Sequence, residues 1–581
     1  MAAKPSLRYR RPRFVLRHRH HKTKHVTFDL PAQTDSRPPQ DRNQLISTQS
    51  SIDQMDEATL SMACTLAYLD SDAGIPKSLL IRAGRPLRRW ALDGEPEEIS
   101  PRETGIMPEL VDTLCSAEGS EIVTKQLRLY GFLGLDTRYG GGGDDSDLLR
   151  MDAGIRAMCK QKILDPNYWM LQALLLVCHA FPTDAHLDVD FYELGLFYIV
   201  QFQHVITRHY DRLRVMDLLS IETQQIVAYA LIASSHFSST TWKLDAIERA
   251  GSIAAGLATP DECLDMMILT RKTDLFYPDS MTLPEIDYQF PNPHIKSKKL
   301  YALCGELLLA RSTLQLQQSN ENINTAFSLL HRVQPVDRNH ISTLEELILQ
   351  KKAICWGRIR RFQGRFEVAR QVLEDLYNAR QYPEGVVSVG ASSCDLISEL
   401  AATHCELGNP VEAEMLISAR LESIFDGRPM RERTEEQEEA ILRLRLALAE
   451  AVLHQAEYWR AEDIYRDVDR RLCITQGARR PESIRSTCRL NIGLARVQHV
   501  RGQWVSALKR WERALRVYEK YPFAQDFGTA VVCASVSYVR GKLGDAHGAA
   551  LYADKARKLL EVTGCWSQYA GLGTWLEEVL L

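Results

Sequence analysis

Asp184, His186, Asp188 and Asp190 alternate at period two. On an extended segment all four side chains would face one way. Carboxylates beside an imidazole suit a hard or borderline cation. The competing reading is a solvated loop joining two apolar helices, with Asp188 and Asp190 near a helix N-terminus, where negative charge is favoured. The loop reading is preferred, since a lone short motif often matches by chance. His204 and His209 stand five apart, not the four that put two ligands on one helical face. Each reads as an ordinary helix histidine. Gly140 to Gly143 could cradle a phosphate, but no helix start follows and Asp144 and Asp145 would repel an anion. Gly541-Lys542 is followed by Leu543, and Val536 stands where a phosphate loop has its first glycine. There is no G-x-S-x-G elbow and no H-E-x-x-H pair. No catalytic, cofactor-binding or metal-ligating residue is therefore assigned.

The elements around these residues point to binding. Of 581 residues, 45% are hydrophobic and 25% charged, as in an ordinary soluble protein with room for a large core. The net charge of −4 hides an asymmetry: residues 1–25 hold nine Lys/Arg and no acid, leaving 62 basic against 75 acidic residues elsewhere. Any bias toward nucleic acid is confined to that tail. Thirteen cysteines without a C-x-x-C pair argue against a zinc ribbon and a disulfide framework, and suit a reducing compartment. No secretory signal is legible, and the longest apolar run, Trp169 to Phe181, is interrupted by Gln172 and His179. It is shorter than the roughly 20 residues that span a bilayer. The expected location is cytoplasmic or nuclear, with no membrane contact.

Four regions are expected. Residues 1–52 read as a disordered basic tail, since little there can bury enough surface to offset ordering entropy. Residues 53–161 read as a small winged-helix-like α+β domain. Its strands are Gly131 to Leu135 and Leu148 to Met151, forming a hairpin around the Gly140–Gly143 loop. Residues 162–290 read as an irregular helical linker domain, closed by Pro278, Pro284, Pro291 and Pro293. Residues 291–581 hold a repeat. A small residue closes one helix, and an alanine five later sits in the next. The copies are Gly364 to Ala369, Gly408 to Ala413, Ala456 to Ala461, Gly502 to Ala507 and Gly544 to Ala549. They follow at 44, 48, 46 and 42 residues, with a weaker copy around Ala326. Self-similarity at such a period signals stacked helical pairs. The small residues let helices approach, while Phe366, Tyr458, Trp504 and Trp511 fill gaps between turns.

This repeat resembles the tetratricopeptide family. The glycines Gly364, Gly408, Gly502 and Gly544 match its intra-repeat turn. The alanines Ala369, Ala413, Ala461, Ala507 and Ala549 match its second-helix alanine, and Gly357 its first-helix glycine in one copy. The period exceeds the family's roughly 34 residues, which resembles its long-helix variants. A second resemblance rests on Leu66-Ala67-Tyr68-Leu69-Asp70-Ser71-Asp72-Ala73-Gly74-Ile75-Pro76, Trp169, Phe181-Pro182 and the helix to His204. These are similar to the winged-helix and linking segments of fungal NOD-like proteins. In that family a nucleotide-binding domain precedes these segments. Here only the tail does, so the resemblance implies a truncated relative or a gene model missing its front, without ATP-driven switching.

The fold class implied is mainly α: a tetratricopeptide-like α-solenoid behind a small winged-helix-like domain and a helical linker. The function implied is a non-enzymatic scaffold or adaptor that docks a protein or peptide partner in the repeat groove. The family's partner-facing first-helix positions fall on Arg358, Arg361, Glu450, Arg496 and His499. Two alternatives stand beside it. One is a regulator contacting DNA through the winged helix, although Glu118, Glu121, Lys125 and Arg128 make its charge mixed. The other is an accessory protein or enzyme of a fungal biosynthetic pathway. Partner identity and oligomeric state are not legible.

Overall fold

The computed structural model describes residues 55–70, 72–133, 148–162, 165–188, 190–275, 297–318, 323–379, 391–425, 434–475, 481–520, 527–563 and 571–580. The basic tail and the Gly140–Gly143 loop lie outside them. The described residues belong to one compact unit, and they are overwhelmingly helical.

The first part packs α1 (Glu57–Leu66), α2 (Lys77–Ala83), α3 (Pro108–Leu114), α4 (Ala117–Leu129), α5 (Ala153–Lys162) and α6 (Pro166–Ala180) with short strands β1 (Ile75–Pro76), β2 (Leu87–Trp90), β3 (Pro96–Ile99) and β4 (Leu148–Leu149). Local chemistry fixes the helix starts. Asp56 accepts the Thr59 N–H at 2.7 Å, and Asp165 accepts those of Asn167 and Tyr168 at 3.1 Å just before Pro166. α6 is apolar on all sides and accordingly almost wholly buried. After it come α7 (Phe191–Val205), one π-helical turn (Ile206–Tyr210), α8 (Asp211–Val215), α9 (Ile221–Ser234), α10 (Thr240–Gly256) and α11 (Glu262–Leu275). Phe181, Phe202 and Phe237 meet at its centre, Phe181 standing 4.7 and 5.8 Å from the other two ring centroids. A single hydrophobic core runs from Met62 to Ile268, continuous across the boundary expected near residue 162.

The expected wing differs in its pairing. Leu133 does bridge Met151. Leu148–Leu149, however, pairs antiparallel with Ile75–Pro76. The extended pair ahead of α2 thus supplies the edge that buries Leu149. A second hairpin, β2–β3, was not expected. Its tip turns through Asp93-Gly94, with Ala91 N–H bonded to Glu95 O at 2.8 Å. This hairpin reaches the repeats. Leu92 O accepts from Lys299 N–H at 3.2 Å, Gly94 O from Leu344 N–H at 3.1 Å, and Glu95 from Thr343 N–H at 3.0 Å.

Among the described residues the repeats form six helix pairs: α12 (Lys298–Gln318) with α13 (Ile323–Arg332), α14 (Thr343–Phe362) with α15 (Phe366–Ala379), α16 (Ala391–Glu406) with α17 (Pro410–Phe425), α18 (Glu435–His454) with α19 (Tyr458–Thr475), α20 (Pro481–Val500) with α21 (Trp504–Lys520), and α22 (Phe527–Lys542) with α23 (Ala546–Thr563). A last helix, α24 (Leu572–Leu580), follows. Helices of 16 to 20 residues in most pairs account for the long period. Four successive hydrophobic clusters follow one another along residues 354–579, as in a tetratricopeptide-type solenoid.

One turn recurs five times. Gly364, Gly408, Gly502 and Gly544 adopt φ of +70°, +79°, +70° and +83°, and Ala456 adopts +59°. The next residue's N–H reaches back five residues: Arg365 to Arg360 O, Asn409 to His404 O, Glu457 to Val452 O, Gln503 to Gln498 O and Asp545 to Arg540 O, at 2.9 to 3.3 Å. That bond is the Schellman closure of the first helix. The same residue's carbonyl accepts from Ala369, Ala413, Ala461, Ala507 or Ala549 N–H and so opens the second helix. Glycine recurs at this turn because the left-handed region is open to it. Ala369, Ala413, Ala461 and Ala507 are fully buried, as is Ala326. Ala549 is half-buried, its carbonyl accepting from Ser537 Oγ at 2.7 Å. Gly357 passes under Leu373, where a Cβ would come within 2.6 Å. Of the four gap-filling aromatics, Trp511 is fully buried, while Phe366, Tyr458 and Trp504 are half-buried.

Candidate partner-binding groove

From α12 to α20 each first helix packs on the next, and acid–base pairs join them rung by rung. Glu306 of α12 pairs with Lys351 of α14. Glu399 of α16 takes Arg358 at 2.7 Å and Arg361 at 3.0 Å from α14. Asp395 of α16 takes Arg443 of α18 at 3.0 Å. Glu450 of α18 takes both arms of Arg489 of α20, at 2.5 and 2.6 Å. Burial pushes the Glu399 carboxyl up, but the two guanidiniums outweigh it and hold the group at about 2.

Arg358 is half-buried, and Arg361, Glu450, Arg496 and His499 are buried. Sequence placed these five together on first helices facing a groove. The structure puts Arg358 and Arg361 on one carboxylate and Glu450 on the next rung. It sets Arg496 and His499 apart, beneath α24. Of the five expected partner-facing residues, Arg358, Arg361 and Glu450 are thus engaged between first helices, because these long helices lie close enough for the three charges to meet their counter-charges. Reversing Arg358, Arg361 and Arg496 together would disrupt the fold as well as any docking.

What lies over Arg496 and His499 is α24, with Gly571 just before it. Gly571 N–H donates to Glu406 at 2.9 Å across 165 residues. Gly571 has φ +70°, and a Cβ there would lie 2.1 Å from the His454 ring. Burial raises the Glu406 carboxyl above its ordinary range, with the Gly571 N–H pulling the other way. Trp575 then enters an aromatic pocket. Its indole N–H donates to Ser535 Oγ at 3.0 Å. Its ring lies edge-on to His499 at 4.9 Å and stacks on Trp511 at 6.2 Å. The Arg496 guanidinium sits over it at 5.3 Å. His499 in turn stacks on Tyr538 at 4.9 Å. Burial, with Lys542 nearby, pushes the His499 imidazole down to about 4. Leu572, Leu576 and Val579 complete the buried face of α24.

Sequence reasoning missed Glu399, Glu406, Arg489, Ser535 and Trp575. The spacing of Leu572, Trp575, Leu576 and Val579 is the i, i+3, i+4, i+7 pattern of an amphipathic helix, a signal that was available. The carboxylate partners had no local signal, because Glu399 lies about one repeat from its arginines and Glu406 lies 165 residues from Gly571.

The other candidates resolve into structure. Asp184 accepts from Trp90 Nε1 at 2.8 Å and from His186 N–H at 2.7 Å. Asp188 is paired with Arg82, and Asp190 stands at the N-cap of α7. His209 Nε2 bonds Tyr68 O at 2.6 Å, and His204 lies 3.9 Å from Asp70. Among the described residues no cluster could hold a metal ion, and no helix is long and apolar enough to cross a membrane. On α4, Glu121 pairs with Lys77 and lies 3.7 Å from Lys125.

No protein-family model matches the chain, and no curated protein matches it by sequence. Among the solved structures similar to it are two helical-repeat proteins. The APC/C hetero-tetramer Cut9–Hcn1 has 12% identity and a TM-score of 0.39, over 79% of this chain and 80% of that one. Ypp1 has 11% identity and a TM-score of 0.32, over 81% and 74%.

Proposed function

We propose that the chain is a non-enzymatic interaction scaffold whose repeat array takes a helical segment of a partner protein into its inner groove. One observation carries this reading: the first-helix face already holds a helix, α24, anchored by Trp575 and by the Gly571–Glu406 bond. Helix-in-groove recognition uses such i, i+3, i+4, i+7 anchors. Large aromatics in well-packed, desolvated pockets supply most of the energy in such contacts. The resemblance of residues 55–210 to NOD-like proteins supports an adaptor role within a larger assembly, with the β2–β3 hairpin holding the first part against the array.

The test uses the intact chain carrying Trp575→Ala, which weakens the hold of its own α24. A labelled peptide of residues 571–581 is titrated against it by fluorescence polarisation. Saturable binding is expected, at least tenfold weaker when the peptide's own tryptophan is replaced by alanine. A flat isotherm with both peptides contradicts the reading.

A further inference from the structure

The segment leading into α24 lies back along the first-helix face. From α14 to α20 each first helix packs on both helices of the pair before it, as α18 does on α16 and α17, whereas α24 packs chiefly on the first helix α22. The residue before it touches three earlier first helices: Glu406 of α16, His454 of α18 and Arg496 of α20. At nine residues α24 is too short to hold helical form alone in water. Its conformation comes from the groove. Four features of the segment meet dedicated groups. The N-terminal N–H meets a carboxylate, which also suits the positive end of a helix. Gly571 meets His454 so closely that no side chain fits. The indole meets a hydroxyl, and the buried apolar face meets the apolar wall of α22.

Resting on the scaffold reading, we propose that Gly571–Val579 is a built-in pseudo-ligand that closes the groove. The partner admitted is a helix with the same signature: glycine, then an aliphatic residue at +1, tryptophan at +4, and aliphatic residues at +5 and +8.

The tryptophan is specified by its donor. Ser535 Oγ donates to Val531 O at 2.8 Å and accepts from the Trp575 indole. Phenylalanine would fill most of the pocket yet leave that hydroxyl without its incoming N–H. A buried polar group left unsatisfied weakens binding about fivefold to tenfold. The glycine is specified by space: an alanine would drive its Cβ into the His454 ring in a left-handed conformation, a combination alanine tolerates poorly. Partner and tail compete for one site. Their exchange trades the apolar face of α24 for that of the partner and leaves the groove covered, so it proceeds without unfolding the array.

The experiment titrates the labelled 571–581 peptide into the wild-type chain and into Trp575→Ala. Variants of the peptide carry phenylalanine for tryptophan or alanine for glycine. The variant chain is expected to bind the parent peptide at least tenfold more tightly than wild type does. The phenylalanine and alanine peptides are expected to bind the variant about fivefold or more weakly. Equal affinity of the two chains overturns self-closure while leaving the scaffold reading intact; binding by neither chain removes both. Equal affinity for all three peptides overturns the signature. A second readout needs no substitution. Saturating peptide should speed amide exchange of residues 572–579 in the wild-type chain at least tenfold, and unchanged exchange overturns displacement. Light scattering on the wild-type chain is expected to show a monomer; a stable dimer would mean that α24 is exchanged between copies, and would overturn a partner-directed role.

Discussion

Ala456 is where the repeat departs from its own rule. At the four equivalent turns glycine takes the left-handed conformation, and at the fifth an alanine does, with φ +59°. An L-residue with a Cβ loses about 1–2 kcal/mol there. Replacing it by glycine relieves that strain but gives the unfolded chain more freedom, worth about 0.4–1 kcal/mol against the native state. Ala456→Gly should therefore stabilise the α18–α19 turn by about 0.5–1 kcal/mol. The reverse change is a matched control. At Gly408 an added Cβ would meet nothing within 4 Å. The cost of Gly408→Ala is thus conformational alone, about 0.5–1 kcal/mol. Stability in a solenoid is close to a sum over repeats and their interfaces. The suitable assay is native-state hydrogen exchange resolved by helix, in sub-denaturing urea. Amides of α18 and α19 should exchange about two- to fivefold more slowly in Ala456→Gly, and those of α16 and α17 about two- to fivefold faster in Gly408→Ala. Faster exchange in Ala456→Gly, or no change in either variant, would refute the argument that backbone strain governs these turns.

Other outcomes follow from the same contacts. Glu399→Ala leaves Arg358 and Arg361 facing an empty rung and should cost about 3 kcal/mol, read as a lower urea midpoint; a loss under 1 kcal/mol would contradict the pairing. Gly493→Ala drives a Cβ to 2.2 Å from the rigid Tyr465 ring, and should cost about 1–3 kcal/mol by overpacking; an unchanged melting temperature would contradict that approach. Burial holds His209 and His499 down at about 4, so the unfolded chain, titrating near 6.5, binds protons first on acidification. Stability is then full above pH 6.5 and falls toward pH 4, by about 1–2 kcal/mol per histidine after allowance for residual solvent. Melting temperatures measured from pH 7.5 to 4.5 should fall monotonically, and a maximum near pH 5 would contradict the sign.

The repeat was legible because its cause is local. A left-handed turn needs glycine, and a close helix crossing needs alanine, wherever they occur. Both recur at fixed spacing, and the structure places both at the helix junctions. The groove was not legible in this way. Arg358 and Arg361 were noticed as first-helix cations, but their shared partner Glu399 lies about 40 residues away. Charge type alone does not tell a solvated arginine from a paired one. The β2–β3 hairpin had a local cue in Asp93-Gly94, yet Leu87-Arg88-Arg89-Trp90 is too charged to read as a strand. Its partner is the neighbouring strand, and its contacts lie in the repeats. α24 carried a visible apolar pattern; its seat three first helices back along the stack did not follow from that pattern.

On the proposed reading, the first-helix groove grips a helix at the Trp575 pocket. A photo-crosslinking benzoylphenylalanine at position 575 of the intact chain reports what that pocket holds. Mapped by mass spectrometry, its crosslinks should fall within residues 496–539, on the segments bearing Arg496, His499, Trp511, Ser535 and Tyr538, and should fade when excess 571–581 peptide is added. Crosslinks to α23, to the first part of the chain or to another copy would contradict it.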